Sequence, residues 1–203
     1  AANNAAVCRI PQGANALGLS RAGVLPTARD AQAMLADARS AYVIYGIEPG
    51  LDFADQARAL KALGAAKVVA FSQYACRSTR AVADVILPIG ALPEIDATLT
   101  NLEGRTQRAV AGGKLPGDAR PGWRVLRALG GVLGANGFDF SDLAGAQLAP
   151  RQVKVAASAA QKTGGEGLEL AVSQAIYRVD ATVRRAVALQ SHPLEAGPRI
   201  VLN

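Results

Sequence analysis

Residues 41–88 read AYVIYGIEPGLDFADQARALKALGAAKVVAFSQYACRSTRAVADVILP, and the three short apolar runs inside this stretch decide the fold. Ala41-Tyr42-Val43-Ile44-Tyr45-Gly46 carries no charge and stops at glycine, as a strand buried on both faces does. Lys67-Val68-Val69-Ala70-Phe71 is the second such run, and Asp84-Val85-Ile86-Leu87-Pro88 is the third, stopped by proline. Between the first two lies the turn Glu48-Pro49-Gly50 and then a helix, with Asp52 as its expected cap. Phe53, Ala57 and Leu60 are its expected inner face, with Leu63 nearby and Gly64 at its end. Between the second and third runs, Ser78 is the expected cap of a short helix reaching Ala83. Strand, helix, strand, helix, strand at this spacing predicts an α/β fold: a Rossmann-like, three-layer parallel sheet with right-handed crossovers and helices on both faces. Ligands of such sheets sit beyond the carboxyl ends of the strands. Those ends are Gly46-Ile47-Glu48-Pro49, Ser72-Gln73-Tyr74 and the residues from Pro88 onward. No strand is followed by GxGxxG or GxxxxGK[ST], which argues against a nucleotide site of those two kinds.

Upstream, Val7 to Ile10 is strand-like, Gly13 to Gly18 reads as a glycine-rich loop, and Gly23-Val24-Leu25-Pro26 is a turn. Thr27 and Asp30 have capping-box spacing before a helix whose apolar side is Ala31, Met34, Leu35 and Ala38. Downstream, a helix is expected from Trp123 to Leu133, with Trp123, Leu126 and Leu133 to one side and Gly134 as its stop. From Gly137 to Gly167 the chain is rich in Gly, Ala, Gln and Ser and reads as a linker. Leu168 to Gln190 is a last amphipathic run, with Leu168, Val172, Ala175, Val179 and Val183 on one stripe expected to pack on a partner or on the main domain. The expected organisation is therefore an α/β domain over 1–137 and a linker with a small carboxyl-terminal extension over 138–203.

Composition narrows the function classes. Half of the 203 residues are hydrophobic but only 4% are aromatic, which suits Ala-rich helices packed on a sheet. No apolar run nears the roughly 20 residues of a membrane span, and the start Ala1-Ala2-Asn3-Asn4 has neither a basic nor an apolar leader region. The absence of an initial Met leads us to expect a piece of a longer chain. The two cysteines, Cys8 and Cys76, lie far apart and outside any CxxC, so an ordinary four-thiolate iron–sulfur cluster is not expected within this chain. They read as small buried residues, and their scarcity fits a reducing compartment. The formal charge is +6, but Arg and Lys are scattered and no aromatics interleave with them, so no nucleic-acid partner is expected. A basic face meeting an acidic neighbour accounts for the charge. His192, the sole histidine, has no nucleophile or orienting group beside it in sequence and reads as solvated or locally bonded.

The densest polar segment is Glu94-Ile95-Asp96-Ala97-Thr98-Leu99-Thr100-Asn101-Leu102-Glu103-Gly104-Arg105-Thr106-Gln107. Its alternation predicts a hairpin turning at Gly104. The paired carboxylates resemble those of glycoside hydrolysis, but no cleft or stacking aromatics accompany them. Arg105 is expected to pair with Glu94 or Glu103, and Thr98 and Asn101 to satisfy backbone groups at the hairpin.

Following Ala83-Asp84-Val85-Ile86-Leu87-Pro88, this segment resembles the molybdopterin oxidoreductase superfamily. The family pattern is an ADVVLP-type strand and then E-x-x-G-T-x-x-N-x-E-G-R-x-Q. Glu94, Thr98, Asn101, Glu103, Gly104, Arg105 and Gln107 match it, whereas Ala97 stands where the family has glycine. Within the superfamily the chain is most similar to the large iron–sulfur subunit of respiratory NADH–quinone oxidoreductase, complex I. Gly13 to Gly18 with Gly23 and Pro26, Tyr45 to Pro49, Pro116 to Trp123, and the tail Tyr177-Arg178-Val179-Asp180 with Arg184-Arg185-Ala186 carry that likeness. The resemblance implies a structural role in the peripheral arm, beside other complex I subunits, at the cytoplasmic face of a bacterial inner membrane. It implies vestigial pterin-site residues at Glu94, Thr98, Asn101, Glu103, Arg105 and Gln107, with no catalytic residue and no metal ligand in this piece. Iron–sulfur clusters would lie in the amino-terminal part of the parent chain. The alternative implication is the cofactor-binding part of an active molybdopterin enzyme of the formate dehydrogenase or nitrate reductase type. A free-standing nucleic-acid or small-ligand module is a third reading, to which salt-dependent binding would speak.

Overall fold

The computed structural model describes residues 13–26, 28–146 and 175–193. The three apolar runs form β1 (Ala41–Tyr45), β2 (Lys67–Ser72) and β3 (Val85–Pro88). They pair in parallel in the order β1-β2-β3, with Ala41 opposite Lys67 and Val69 opposite Val85. Asp84 ties the start of β3 to that of β2, because its carboxylate accepts from Lys67 Nζ and from the Val68 amide, each at 2.8 Å. This is the α/β parallel sheet expected from the sequence.

Helices α1 (Ala16–Arg21) and α2 (Ala31–Ala36) precede the sheet, while α3 (Gln56–Gly64) and α4 (Arg77–Val82) make its two crossovers. α3 packs on α4 and on α2, as two successive crossovers of one hand require. On this face Ile44, Val68 and Ala70 meet Leu63 of α3 to form the core, with Tyr42, Val82 and Ile86 at its margin. Strand alternation places Val43, Val69, Val85, Tyr45 and Phe71 on the other face. Phe71 is buried, and its ring lies 5.6 Å from that of Tyr45. Helix α5 (Gly122–Val132) starts against this pair. A Cβ on Gly122 would stand 1.8 Å from the Tyr45 hydroxyl oxygen, so only glycine admits the helix so close. Toward the other end of the strands, Val43 and Val85 remain exposed.

Several local expectations are corrected. Asp55, not Asp52, caps α3, its Oδ1 accepting from Arg58 N at 2.9 Å. The buried residues of α3 are Ala59, Ala62 and Leu63, while Ala57 is exposed. Helix α4 starts after Cys76, and Ser78 Oγ instead accepts from Gly50 N at 3.0 Å in the loop after β1. In both cases a short polar side chain bonds the unpaired N–H that the folded loop brings nearest. Residues 16–18 are helical, not loop: Asn15 precedes α1 at φ 65° and its Oδ1 accepts from Thr100 N at 2.8 Å. Asp30 caps α2 through Ala33 N at 2.7 Å; Thr27 and the run from Val7 to Ile10 lie outside the described residues. Ala33 and Leu35 are half-buried in α2, whereas Ala31, Met34 and Ala38 are exposed.

The expected hairpin forms from β4 (Ala97–Thr100) and β5 (Thr106–Ala109), antiparallel, with Thr100 opposite Thr106. Gly104 makes the turn at φ 83°, a left-handed conformation that glycine adopts without a Cβ clash. Its carbonyl accepts from Arg21 Nη1 at 2.9 Å. Gly134, at φ 64°, follows α5 as expected, but Leu126 and Leu133 are exposed and the buried residues are Gly122 and Gly130. Residues 138–146, the opening of the stretch read as a linker, fold back on α5. Phe138 covers Gly130 and the Phe140 ring lies 6.0 Å from that of Trp123.

The amphipathic run expected to Gln190 is, over 175–193, two 3₁₀ turns (Ile176–Arg178 and Val183–Arg185) and a short helix, α6 (Val187–Gln190). Asp180 Oδ1 accepts from Val183 N at 2.8 Å and starts a new turn. Gln190 Nε2 donates to the carbonyls of Tyr177 and Val183, both at 2.9 Å, which draws the segment into a compact loop. Leu168 and Val172 of the expected stripe lie outside the described residues. Among the described residues no helix is long and apolar enough to cross a membrane.

Candidate functional site

The carboxyl ends of the strands open on a crevice, and the loop after β1 builds its floor. Gly46, at φ 64°, donates from its amide to Phe71 O at 2.8 Å and then turns the chain across the sheet end. Glu48 O accepts from Leu51 N and Asp52 N at 2.8 and 3.0 Å, and Asp52 Oδ2 accepts from Glu48 N at 2.6 Å. With Pro49 fully buried beside it, the loop holds the Glu48 side chain inside, at 2% exposure. A carboxylate so buried is costly unless it is paired and hydrogen-bonded.

The partners come from the far end of the chain. Arg184 Nη2 lies 2.7 Å from Glu48 Oε2 and 2.9 Å from Asp52 Oδ1, and Arg184 Nη1 donates to Arg178 O at 2.9 Å. Arg185 Nη1 donates to Glu48 Oε2 at 3.1 Å and to Ala181 O at 2.8 Å, while its Nη2 bonds Glu48 Oε1. The Arg185 guanidinium also stands 3.9 Å from the centroid of the Tyr74 ring. Two carboxylates thus face two guanidiniums, and the pairing of Glu48 with Arg184 leaves their side chains only 3% and 10% exposed. A cavity of about 660 Å³ lies alongside, bounded by Gly46, Ile47, Asp52 and Gln73 on one side and by Val179 and Thr182 on the other.

Burial pushes the Glu48 carboxyl up, but the hydrogen bonds and charges of Arg185 and Arg184 outweigh it and hold it below its ordinary 4.5. A carboxylate depressed in this way stabilises the fold fully above its ordinary value and loses that contribution as pH falls through the folded one. Acidification below about 4.5 should therefore loosen residues 175–193, read as a fall in amide protection relative to the unfolded-chain rate at each pH. Protection that stays constant down through the titration would contradict the pairing.

The six residues expected at a vestigial pterin site lie on the 3₁₀ turn after β3 and on the hairpin. Glu94 Oε2 accepts from Ala91 N at 2.9 Å, closing a 3₁₀ turn. Asn101 Oδ1 accepts from Arg105 N at 2.9 Å, closing the hairpin. Thr98, Glu103, Arg105 and Gln107 are exposed. Thr98 pairs with Arg108 and Leu99 with Gln107, so Thr98 and Gln107 lie on opposite faces of the hairpin. The six side chains do not converge on one cradle, and as they stand they do not fit a pterin. Arg105 forms no ion pair with Glu94 or Glu103 among the described residues, because Glu94 is committed to a backbone amide and Glu103 is exposed at the turn. Arg105→Ala should then change stability by less than about 0.5 kcal/mol in a thermal melt; a loss of several kcal/mol would restore the expected pair.

Cys76 is half-buried, with its Sγ 3.2 Å from both Ser78 Oγ and Thr79 Oγ1; Cys8 lies outside the described residues. The His192 ring meets the Tyr177 ring edge-on at 5.4 Å, a local contact of the kind expected. Among the described residues no group of three or more His, Cys, Asp or Glu is placed to hold a metal ion. The residues that sequence reasoning did not bring together are Glu48, Asp52, Arg184 and Arg185. The available signal was a lone acid just past a buried strand and a tandem arginine between apolar residues.

The chain that forms this parallel sheet, strand-end crevice and hairpin belongs to the molybdopterin oxidoreductase family, whose sequence pattern matches residues 3–132. Within that class it is 40% identical over 74 residues to the NADH-ubiquinone oxidoreductase 78 kDa subunit, mitochondrial, of Neurospora crassa, a match covering 36% of this chain and 10% of that protein. It is 48% identical over 52 residues to the NADH-ubiquinone oxidoreductase 75 kDa subunit of Reclinomonas americana, covering 26% and 8%. It is 36% identical over 92 residues to the F420-dependent formate dehydrogenase 2 subunit alpha of Methanococcus maripaludis, covering 45% and 14%. The matched regions thus span about a tenth of the length of these curated relatives.

Proposed function

We propose that this chain is a structural module of the large iron–sulfur subunit of an NADH–quinone oxidoreductase. In this reading it supports electron transfer from NADH to quinone, coupled to proton translocation, without a redox centre of its own. The iron–sulfur clusters belong to the amino-terminal part of the parent chain, and the partners are other peripheral-arm subunits. The assembly is peripheral, at the cytoplasmic face of a bacterial inner membrane. The observation that carries the reading is the crevice, whose buried acid is neutralised from within by Arg184 and Arg185. The relatives named as NADH-ubiquinone oxidoreductase subunits support it.

The second reading is the cofactor-binding part of an active molybdopterin oxidoreductase. The match to a formate dehydrogenase subunit, which covers 45% of this chain, favours it. Molybdenum analysis and pterin fluorescence on the full parent chain separate the two. The scaffold reading expects far less than one equivalent of either, and co-purification with peripheral-arm subunits. Stoichiometric molybdenum and pterin would replace it with the second.

A further inference from the structure

The strand-end crevice has the chemistry of a guanidinium receptor. Glu48 offers both carboxylate oxygens, Asp52 offers one more, and Tyr74 offers a ring face. Guanidinium suits such a set better than ammonium, because its planar fork bonds two oxygens at once and stacks on an aromatic ring. We propose that Glu48, Asp52 and Tyr74 form an arginine-binding site whose ligand is the chain's own Arg184–Arg185 pair, docking residues 175–193 as a detachable strap across the crevice. The inference does not depend on assembly into an oxidoreductase complex.

Three observations support docking rather than ordinary core packing. The strap is joined to its receptor across 136 residues of sequence, so nothing local imposes the contact. It is organised by its own bonds: Asp180 caps Val183, Gln190 holds Tyr177 and Val183, and each arginine donates to a strap carbonyl. A segment arranged in this way loses less entropy when it docks. Finally, part of its apolar surface is not used in the contact: Ile176 and Val187 are 63% and 82% exposed, while Ala181 is buried and Val183 and Leu189 are half-buried. The charged clamp adds to that apolar contact in holding the strap on. When it is off, an acidic, tyrosine-lined crevice faces solvent and takes a di-arginine peptide in its place.

Limited trypsin digestion of the full chain tests this. Cleavage after Arg184 and Arg185 should be at least tenfold slower than in a synthetic peptide of residues 175–193. Glu48→Gln should remove most of that protection while far-ultraviolet circular dichroism of the chain is retained. The Arg184→Ala/Arg185→Ala double variant, whose receptor side chains are intact, should bind the synthetic peptide in a calorimeter, and Arg-to-Lys substitution in the peptide should weaken binding at least tenfold. Wild-type cleavage as fast as in the free peptide would overturn the proposal. So would protection that survives Glu48→Gln, or a double variant that binds neither peptide or binds both equally. If Glu48→Gln fails to fold, the peptide titration decides alone.

Discussion

Glu48→Ala should lower the stability of the chain by about 3 kcal/mol, the low end of what is lost when one member of a buried ion pair is removed. The substitution leaves two guanidiniums facing one remaining acid, Asp52. Arg184 cannot regain its hydration in place, since its side chain is 10% exposed. Arg185, at 35% exposure, recovers part of its own, which is why the upper end of the range is not reached. The strap has a second way out, which is to lift off, and its docking free energy then sets a ceiling on the loss. For a domain of this size the change corresponds to a fall in Tm of about 6–12 °C. A melt within a degree of wild type would show that Glu48 is not held as described.

Phe71→Ala should be equally damaging for a different reason. Phe71 sits on the middle strand, is 1% exposed, and stacks on Tyr45 beneath the start of α5. Removing a buried phenyl ring loses its transfer free energy and leaves a cavity that neighbours fill only in part, at about 3–5 kcal/mol. Tyr45 borders that space, and its shift would loosen the contact with Gly122 at the start of α5. Phe71→Leu, which keeps most of the volume, should cost less than about 1.5 kcal/mol. Chemical denaturation of both variants checks the order. Equal small losses would place Phe71 outside the core.

The strands and their pairing were legible in the sequence because each is a short apolar run with a clear stop, Gly46 or Pro88 among them. Parallel order followed from the helical spacers. The hairpin was legible from alternation and from Gly104. Helix starts were less so, because Asp52 and Asp55, or Cys76 and Ser78, stand within one turn of each other. The sequence does not say which of them the folded loop will present to an unpaired amide. The stripe read over the run to Gln190 does not show that, over 175–193, Asp180 and Gln190 make bonds that close a loop, because periodicity does not register such bonds. The clamp was illegible for a related reason. Charge attraction has no sequence period, and sixteen acids and twenty-two basic residues allow many pairings. Only the fold brings Glu48 to Arg184 across 136 positions. The sequence instead drew attention to Arg105, whose neighbours Glu94 and Glu103 are close along the chain but otherwise engaged or exposed.

A double-mutant cycle between Glu48 and Arg184 tests the closed crevice most directly. Glu48→Ala, Arg184→Ala and the double variant are unfolded alongside wild type in the same denaturant series. Direct partners should show a coupling of more than about 1.5 kcal/mol, with the double variant nearer in stability to either single one than their sum allows. Losses that add to within about 0.5 kcal/mol would mean that the two residues do not meet, and the crevice would then stand open.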